Sequence, residues 1–396
     1  MAALSILVLH AWGDAGPDGG RPDLGPFTRF VPDLAFGVTL FFTLSGFLLY
    51  RPFVNSLLRD NRLPSVRSYL RNRALRILPA YWVILIVSAL VLHTVVVWDE
   101  NGSLVPGSMD AGTLLKSALL VQHYDAATVV AGIGPAWSLA VEVVFYALLP
   151  VLALLALVIA RRTATHRGRL LAVLVPAGLL LVLGLVGKAA SAYLVPPLSP
   201  FNGWEPDWHS VLERSFLTHA DLFAFGMALA VVVTQVQAGR LRVTRGMRWA
   251  AIAVALAAYV VTAKMTFVDE QLSYSPYNTV MALGCTALLA LVVLPTPSER
   301  RSRLVSTLEW PPLVAAGLVS YSIFLWHHPL ALWLREHDLT FSGAGGFVLN
   351  VAILTTVTLA LSILTYRFVE SPALRRKRGS PTKVPPATAA SYEAAP

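Results

Sequence analysis

The chain of 396 residues has a single cysteine, Cys285, set in an apolar run, so disulfides contribute nothing and thiol redox chemistry is not expected. One thiol and scattered histidines offer no zinc or iron site. Charge is equally scarce: 13% of residues are charged, against about a quarter in ordinary soluble domains, which excludes a solvated globule of this size. No Gly-rich phosphate loop follows a strand, and no internal repeat is visible. Neither an ATPase nor an inverted-repeat transporter is announced.

What fills the chain is apolar sequence. Hydrophobic residues make up 56% and the mean hydropathy is +0.64, which points to an all-α, polytopic membrane protein. Windows near bilayer length predict ten helices, at 1 to 12, 34 to 50, 77 to 98, 137 to 160, 170 to 190, 217 to 237, 249 to 266, 276 to 296, 313 to 334 and 345 to 366. Alternate loops hold 24 of the 31 Lys and Arg residues, so the net charge of +9 reads as topology and not as nucleic-acid binding. The positive-inside rule then places both termini in the cytoplasm, in a multi-pass plasma-membrane protein. Residues 1–370 read as the transmembrane domain. Residues 371–396, with Arg375, Arg376, Lys377 and Arg378 followed by Pro, Ala and Ser, read as a disordered tail resting on anionic lipid.

Within the span starting at Trp137 lies a carboxylate, Glu142, and an ionisable group at membrane depth is a functional-site hypothesis by default. Ser138, Glu142 and Tyr146 fall at i, i+4 and i+8, which sets a hydroxyl, a carboxylate and a phenol along one helix face. Packing glue between helices is the plainer reading of such a group. The acids of the outer loops, Asp14, Asp18, Asp23 and Asp33 in one and Asp99, Glu100, Asp110 and Asp125 in another, read as a solvated face. The stretch 114 to 124 is too short to span and reads as a re-entrant or surface helix. Trp204 and Trp208, with Glu205, Asp207 and His209 nearby, offer flat rings and hydrogen-bonding groups that suit a sugar, or serve as interfacial anchors.

The first apolar run is only twelve residues before a Gly- and Asp-rich stretch, whereas a span needs about 20. The expectation is that the natural start lies upstream. His10 then sits at mid to outer depth, where a neutral imidazole can take a proton near neutral pH.

Several separated motifs agree on one family. Leu4-Ser5 through His10-Ala11-Trp12, Phe41-Phe42-Thr43-Leu44-Ser45-Gly46-Phe47, Arg71-Asn72-Arg73-Ala74-Leu75-Arg76, and Trp137-Ser138-Leu139 with Glu142 resemble the acyltransferase family 3 membrane proteins. Ser320-Tyr321-Ser322 through Trp326-His327-His328-Pro329, and Tyr366-Arg367-Phe368-Val369-Glu370, look like its closing helices. The resemblance implies a ten-helix membrane O-acyltransferase that moves an acyl group, commonly acetyl, from acyl-CoA to a hydroxyl of a carbohydrate or glycosylated small molecule. It departs at the front, where the family's Asp-Gly and Arg would fall just before Met1.

On this reading His10 is the base, Glu142 orients its imidazole, and Ser138 donates a hydrogen bond. Arg71, Arg73 and Arg76 suit the donor's phosphates, with Ser45 allowing close helix approach beside it. Trp137, Tyr146, His327, Trp204 and Trp208 are candidate substrate contacts, and no metal is called for. Direct transfer and a covalent acyl-enzyme are both compatible with these residues. The rival class is a transporter or flippase in which Glu142, Asp221 and the histidines relay protons or hold a substrate.

Overall fold

The computed structural model describes residues 2–17, 20–59, 63–99, 103–195, 204–268, 274–295 and 303–376. Helix α1 is Ala2–Gly13, α2 Phe36–Arg59 and α3 Val66–Leu90. A hairpin of β1 (Val95–Trp98) and β2 (Leu104–Gly107) follows, then the short α4 (Ala111–Ala118). Next come α5 (Trp137–Arg161), α6 (His166–Leu194), the short α7 (Trp208–Glu213) and α8 (Ala220–Gln237). The chain continues with α9 (Arg245–Val268), α10 (Tyr274–Val293), α11 (Arg303–Leu308), α12 (Pro311–Leu318), α13 (Ser320–Glu336), α14 (Gly343–Thr365) and, after a π-helical turn, α15 (Ser371–Arg375).

Among the described residues eight helices are long and apolar enough to cross a membrane, and α12 with α13 makes a ninth span bent by 70°. α1, at 12 residues, falls below that length, so the count of ten rests on including it. The larger departures from the sequence reading are the end of α2, at Arg59 and not 50, both ends of α3, and a break in the span read as 313 to 334. α3 begins at Val66 and not near 77, because Ser65 caps its first turn through the Ser68 amide and the arginine-rich stretch continues the helix outside the apolar core. It stops at Leu90, where His93 takes a left-handed φ of 52° and Val95–Trp98 turns into the hairpin. The fold is all-α as read, a polytopic helical bundle that carries one small antiparallel ribbon. The span read as 313 to 334 breaks at Val319, ahead of Pro329, which α13 accommodates. The tail from residue 377 lies outside the described residues.

Close backbone approach organises the centre. A Cβ on Gly226 would lie 1.8 Å from the Thr43 carbonyl oxygen, and one on Gly46 would lie 2.2 Å from that of Phe223, so α2 and α8 cross with almost no side chain between them. Gly37 likewise admits α1, where a Cβ would meet Ser5 Oγ at 2.4 Å. Phe145 of α5 stacks on Phe223 at 4.1 Å beside this crossing, and Tyr50 ties α2 to the Val173 carbonyl of α6. The hairpin pins the run leading into α5, since Val96 and Gly132 exchange both backbone hydrogen bonds, at 2.8 and 3.0 Å. Gly132 does this with φ +101°, which a side chain would strain.

Candidate active site

Two polar centres stand out in the bundle. The first is built on the end of α1. His10 and Asp14 are one helical turn apart, and His10 Nδ1 lies 2.5 Å from Asp14 Oδ2. From α13, His327 and His328 bring their rings to 5.0 and 4.8 Å from the His10 ring, and His328 Nε2 lies 3.7 Å from the same Asp14 oxygen. Arg335, two turns further along α13, reaches the Asp14 carbonyl at 3.4 Å. His328 is wedged against the turn before α5, where a Cβ on Gly134 would meet its ring at 2.8 Å. Burial pushes Asp14 toward a higher pKa, but the hydrogen bond from His10 and the electrostatic attraction of the two imidazoles and Arg335 outweigh it and hold the carboxyl well below its usual range.

His327 directs Nδ1 to the Ile323 carbonyl of its own helix at 3.1 Å, leaving Nε2 buried and without a partner. Nδ1 of His328 is likewise buried and unpartnered.

The second centre gathers around Glu142. Ser45 Oγ of α2 donates to Glu142 Oε1 at 2.5 Å, and Tyr146, one turn along α5, lies against the same carboxylate. Arg73 and Arg76 of α3 are within electrostatic reach. Arg73 sits over the Tyr146 ring at 5.9 Å with its Nε buried and unpartnered. Arg76 instead pairs with Glu370 at 3.0 Å, whose other oxygen accepts from Ser322 at 2.6 Å. Arg71 is exposed and bonds the Arg376 carbonyl, so the three arginines do not converge on one point.

The sequence reading is corrected in three places. The carboxylate behind His10 is Asp14, not Glu142, whose hydroxyl partner is Ser45; the acid taken for part of a solvated loop is the one a single turn away. Ser138 donates to the Pro135 carbonyl at 2.9 Å and closes the first turn of α5. The histidines, thought too scattered for metal, place His10, Asp14 and His328 ligand atoms within 4.8 Å of one another. Trp137 packs against His219 with rings tilted at 5.0 Å and meets Phe42 edge-to-face at 6.3 Å. Trp204 and Trp208 belong to a separate surface: Trp204 lies under Arg214 at 4.3 Å, and Trp208 lines an apolar cavity of about 630 Å³ with Tyr124, Val211 and Phe216. Neither tryptophan contributes to the two polar centres.

Asp221, weighed for a proton relay, is held by a buried lysine. Lys188 Nζ lies 2.5 Å from its Oδ2 and 2.8 Å from Thr279 Oγ1, and Thr279 in turn bonds the same carboxylate oxygen at 2.6 Å. Nothing in the sequence announced the Lys188 to Asp221 pairing, which joins residues 33 positions apart.

Comparison with known proteins decides the family. The model of the acyltransferase domain of acyltransferase family 3 matches residues 1–367, nearly the whole chain. The chain belongs to acyltransferase family 3. Among curated relatives of this chain, the peptidoglycan O-acetyltransferase OatA of Listeria monocytogenes is 24% identical over 349 residues, 87% of this chain and 51% of the relative. The putative membrane-bound transacylase BcsY of Komagataeibacter xylinus is 26% identical over 353 residues, covering 87% of this chain and 80% of its own. The putative peptidoglycan O-acetyltransferase YrhL of Bacillus subtilis is 26% identical over 349 residues, 85% of this chain and 50% of its own. The chain thus spans about half the length of the two peptidoglycan O-acetyltransferases. No solved structure matches it.

Proposed function

We propose that this acyltransferase moves an acyl group, acetyl in the first instance, from cytosolic acyl-CoA to a hydroxyl of a carbohydrate or glycosylated molecule at the plasma membrane. The observation that carries the proposal is the His10–Asp14 pair. With Nδ1–H committed to a carboxylate, the imidazole keeps its lone pair on Nε2, the form a general base needs. Nε2 takes the proton of the acceptor hydroxyl as its oxygen attacks the thioester carbonyl. The imidazolium, stabilised by Asp14, returns that proton to the leaving thiolate as the tetrahedral intermediate collapses.

Arg73 supports the donor end, because a guanidinium with a buried, unpartnered Nε is a donor left for an anion such as a coenzyme A phosphate. Glu142 and Ser45 hold the neighbouring α2 and α5 in register, with Tyr146 and Arg73 packed against them. The basic loops favour both termini in the cytoplasm, with α1 serving as the tenth span. The likeness to two relatives named as peptidoglycan O-acetyltransferases favours a cell-wall sugar as acceptor.

The test is transfer of label and release of free thiol from radiolabelled acetyl-CoA in membranes bearing the chain or its His10→Ala variant. Loss of a general base lowers the rate by about 10²- to 10⁴-fold. Equal rates for the two would remove His10 from the chemistry, and absence of any thioester consumption with acetyl or longer donors would remove the acyl-CoA reading.

A further inference from the structure

The cluster at the end of α1 holds more ligand atoms than a general base requires. A base and its orienting carboxylate account for His10 and Asp14. They leave His328, a second imidazole presenting Nε2 at 3.7 Å from the same Asp14 oxygen, and they leave its own Nδ1 and His327 Nε2 buried without partners. We propose that His10, Asp14 and His328 form a binding site for a borderline-soft divalent cation, Zn²⁺ in the first instance, and that an ion seated there switches the acyltransferase off. The inhibitory half of this proposal rests on His10 being the base; the binding half does not.

Geometry comes first. Four-coordinate zinc holds nitrogen and oxygen ligands at about 2.0–2.1 Å in a tetrahedron, so its ligand atoms stand roughly 3.4 Å from one another. In this site one atom from each of the three residues lies within 4.8 Å of the others. The two separations fixed atom by atom are 2.5 Å from His10 Nδ1 to Asp14 Oδ2 and 3.7 Å from His328 Nε2 to the same oxygen. They bracket the tetrahedral edge, so an ion is accommodated by opening the first by about 0.9 Å and closing the second by about 0.3 Å.

The donor set is two imidazole nitrogens and one carboxylate oxygen, which suits Zn²⁺ and not Mg²⁺ or Ca²⁺, whose sites are built from oxygen. α13 is pinned at this level, with the His328 ring against Gly134 and Arg335 on the Asp14 carbonyl, so two of the three ligands come from elements already in place.

The consequence for catalysis follows from tautomers. In the dyad His10 Nδ1 keeps the proton and donates it in a hydrogen bond to Asp14, and Nε2 carries the lone pair. A metal on Nδ1 needs the lone pair there, so the single proton of the neutral ring must sit on Nε2. The proton is moved and not lost, and Nε2 becomes a donor that cannot accept the acceptor's hydroxyl proton. The ion and the dyad use the same two atoms, Nδ1 of His10 and Oδ2 of Asp14, so they exclude one another.

The experiment uses the full chain purified in detergent, freed of metal with a chelator, and titrated with Zn²⁺ by calorimetry, with Mg²⁺ as the contrast. One Zn²⁺ per chain is expected, weakened at least about tenfold in His328→Gln and in Asp14→Asn, and unchanged in His337→Gln, whose ring stacks on Trp333 outside the cluster. Thermal melting of each variant separates loss of a ligand from loss of fold. Retention of full affinity in folded His328→Gln, or equal loss in His337→Gln, would overturn the site and leave His10 as base untouched. In the same preparation Zn²⁺ should block acetyl transfer over the range in which it binds, with recovery on chelation. Binding without inhibition would overturn the switch, and the His10→Ala rates, measured without metal, decide separately whether the base reading stands.

Discussion

Replacing Asp14 by Asn keeps the size of the side chain and removes its charge, so it isolates what the carboxylate does for His10. In the transition state the imidazole becomes a cation whose centre lies about 4 Å from that of the carboxylate, an attraction worth roughly 4 kcal/mol at an effective dielectric of 20 and about 1 kcal/mol in water. The Asp14 side chain is 33% exposed, which places it between those limits. A loss of about 2 kcal/mol is therefore expected, or roughly a 30-fold fall in kcat, with the KM for acetyl-CoA unaltered. Asn can also bond Nδ1 through its amide hydrogen and hold the wrong tautomer, which deepens the loss. The assay is initial thiol release from acetyl-CoA in membranes with equal amounts of folded protein. A kcat within about threefold of the parent would refute the reasoning, since a carboxylate that neither orients the imidazole nor stabilises the imidazolium has no place in the chemistry.

Three further outcomes follow from the packing and from buried charge. Gly226→Ala forces a methyl to 1.8 Å from the Thr43 carbonyl oxygen, so α2 and α8 must part at a cost of about 1–3 kcal/mol, read as a lower melting temperature in detergent; an unchanged melt would mean the crossing is looser than drawn. Lys188→Met strands the Asp221 carboxylate, whose Oδ1 already lacks a partner, and should cost about 3–5 kcal/mol, most of it recovered in the double variant with Asp221→Leu; a double variant as unstable as the single would argue against the pairing. His123 is buried with Nδ1 on the Val129 carbonyl, and burial, despite that bond and helped by Arg214, pulls its pKa from 6.5 to about 3. Because the folded state resists the proton that the unfolded chain takes up, stability is held above pH 6.5 and falls below it, by about 1.4 kcal/mol per pH unit down to about 3. His123→Gln should flatten that acid limb, and an identical slope in the variant would assign the limb elsewhere.

Hydropathy located the spans well where the apolar run and the helix coincide, as in α5, read as 137 to 160 and found at Trp137–Arg161. It failed where they do not. The start of α3 is polar, so a window that scores transfer into lipid passes over Ser65 and the arginines, although a capped helix continues past the bilayer edge without penalty. Val95–Trp98 is apolar enough to read as more helix, and only the left-handed turn at His93 redirects it into a ribbon.

The site divides in the same way. His10 and Glu142 stood out because an ionisable group among aliphatic residues is costly and therefore conspicuous, whereas Ser45 entered only as a point of close helix approach, with no hint of its bond to Glu142. Asp14 was not, because it stands in a Gly- and Asp-rich stretch where an acid is the ordinary residue, and composition cannot tell a solvated carboxylate from one turned back onto its own helix. The i, i+4 spacing from His10 to Asp14 was the available signal, and it outranks the pairing with Glu142 on a simple argument. A carboxylate one turn along the same helix is positioned by the backbone that positions the histidine, whereas one on α5 depends on two helices docking in a single register. Glu142 answers to that second demand through Ser45, so one carboxylate of the bundle holds His10 from its own helix and the other ties α2 to α5.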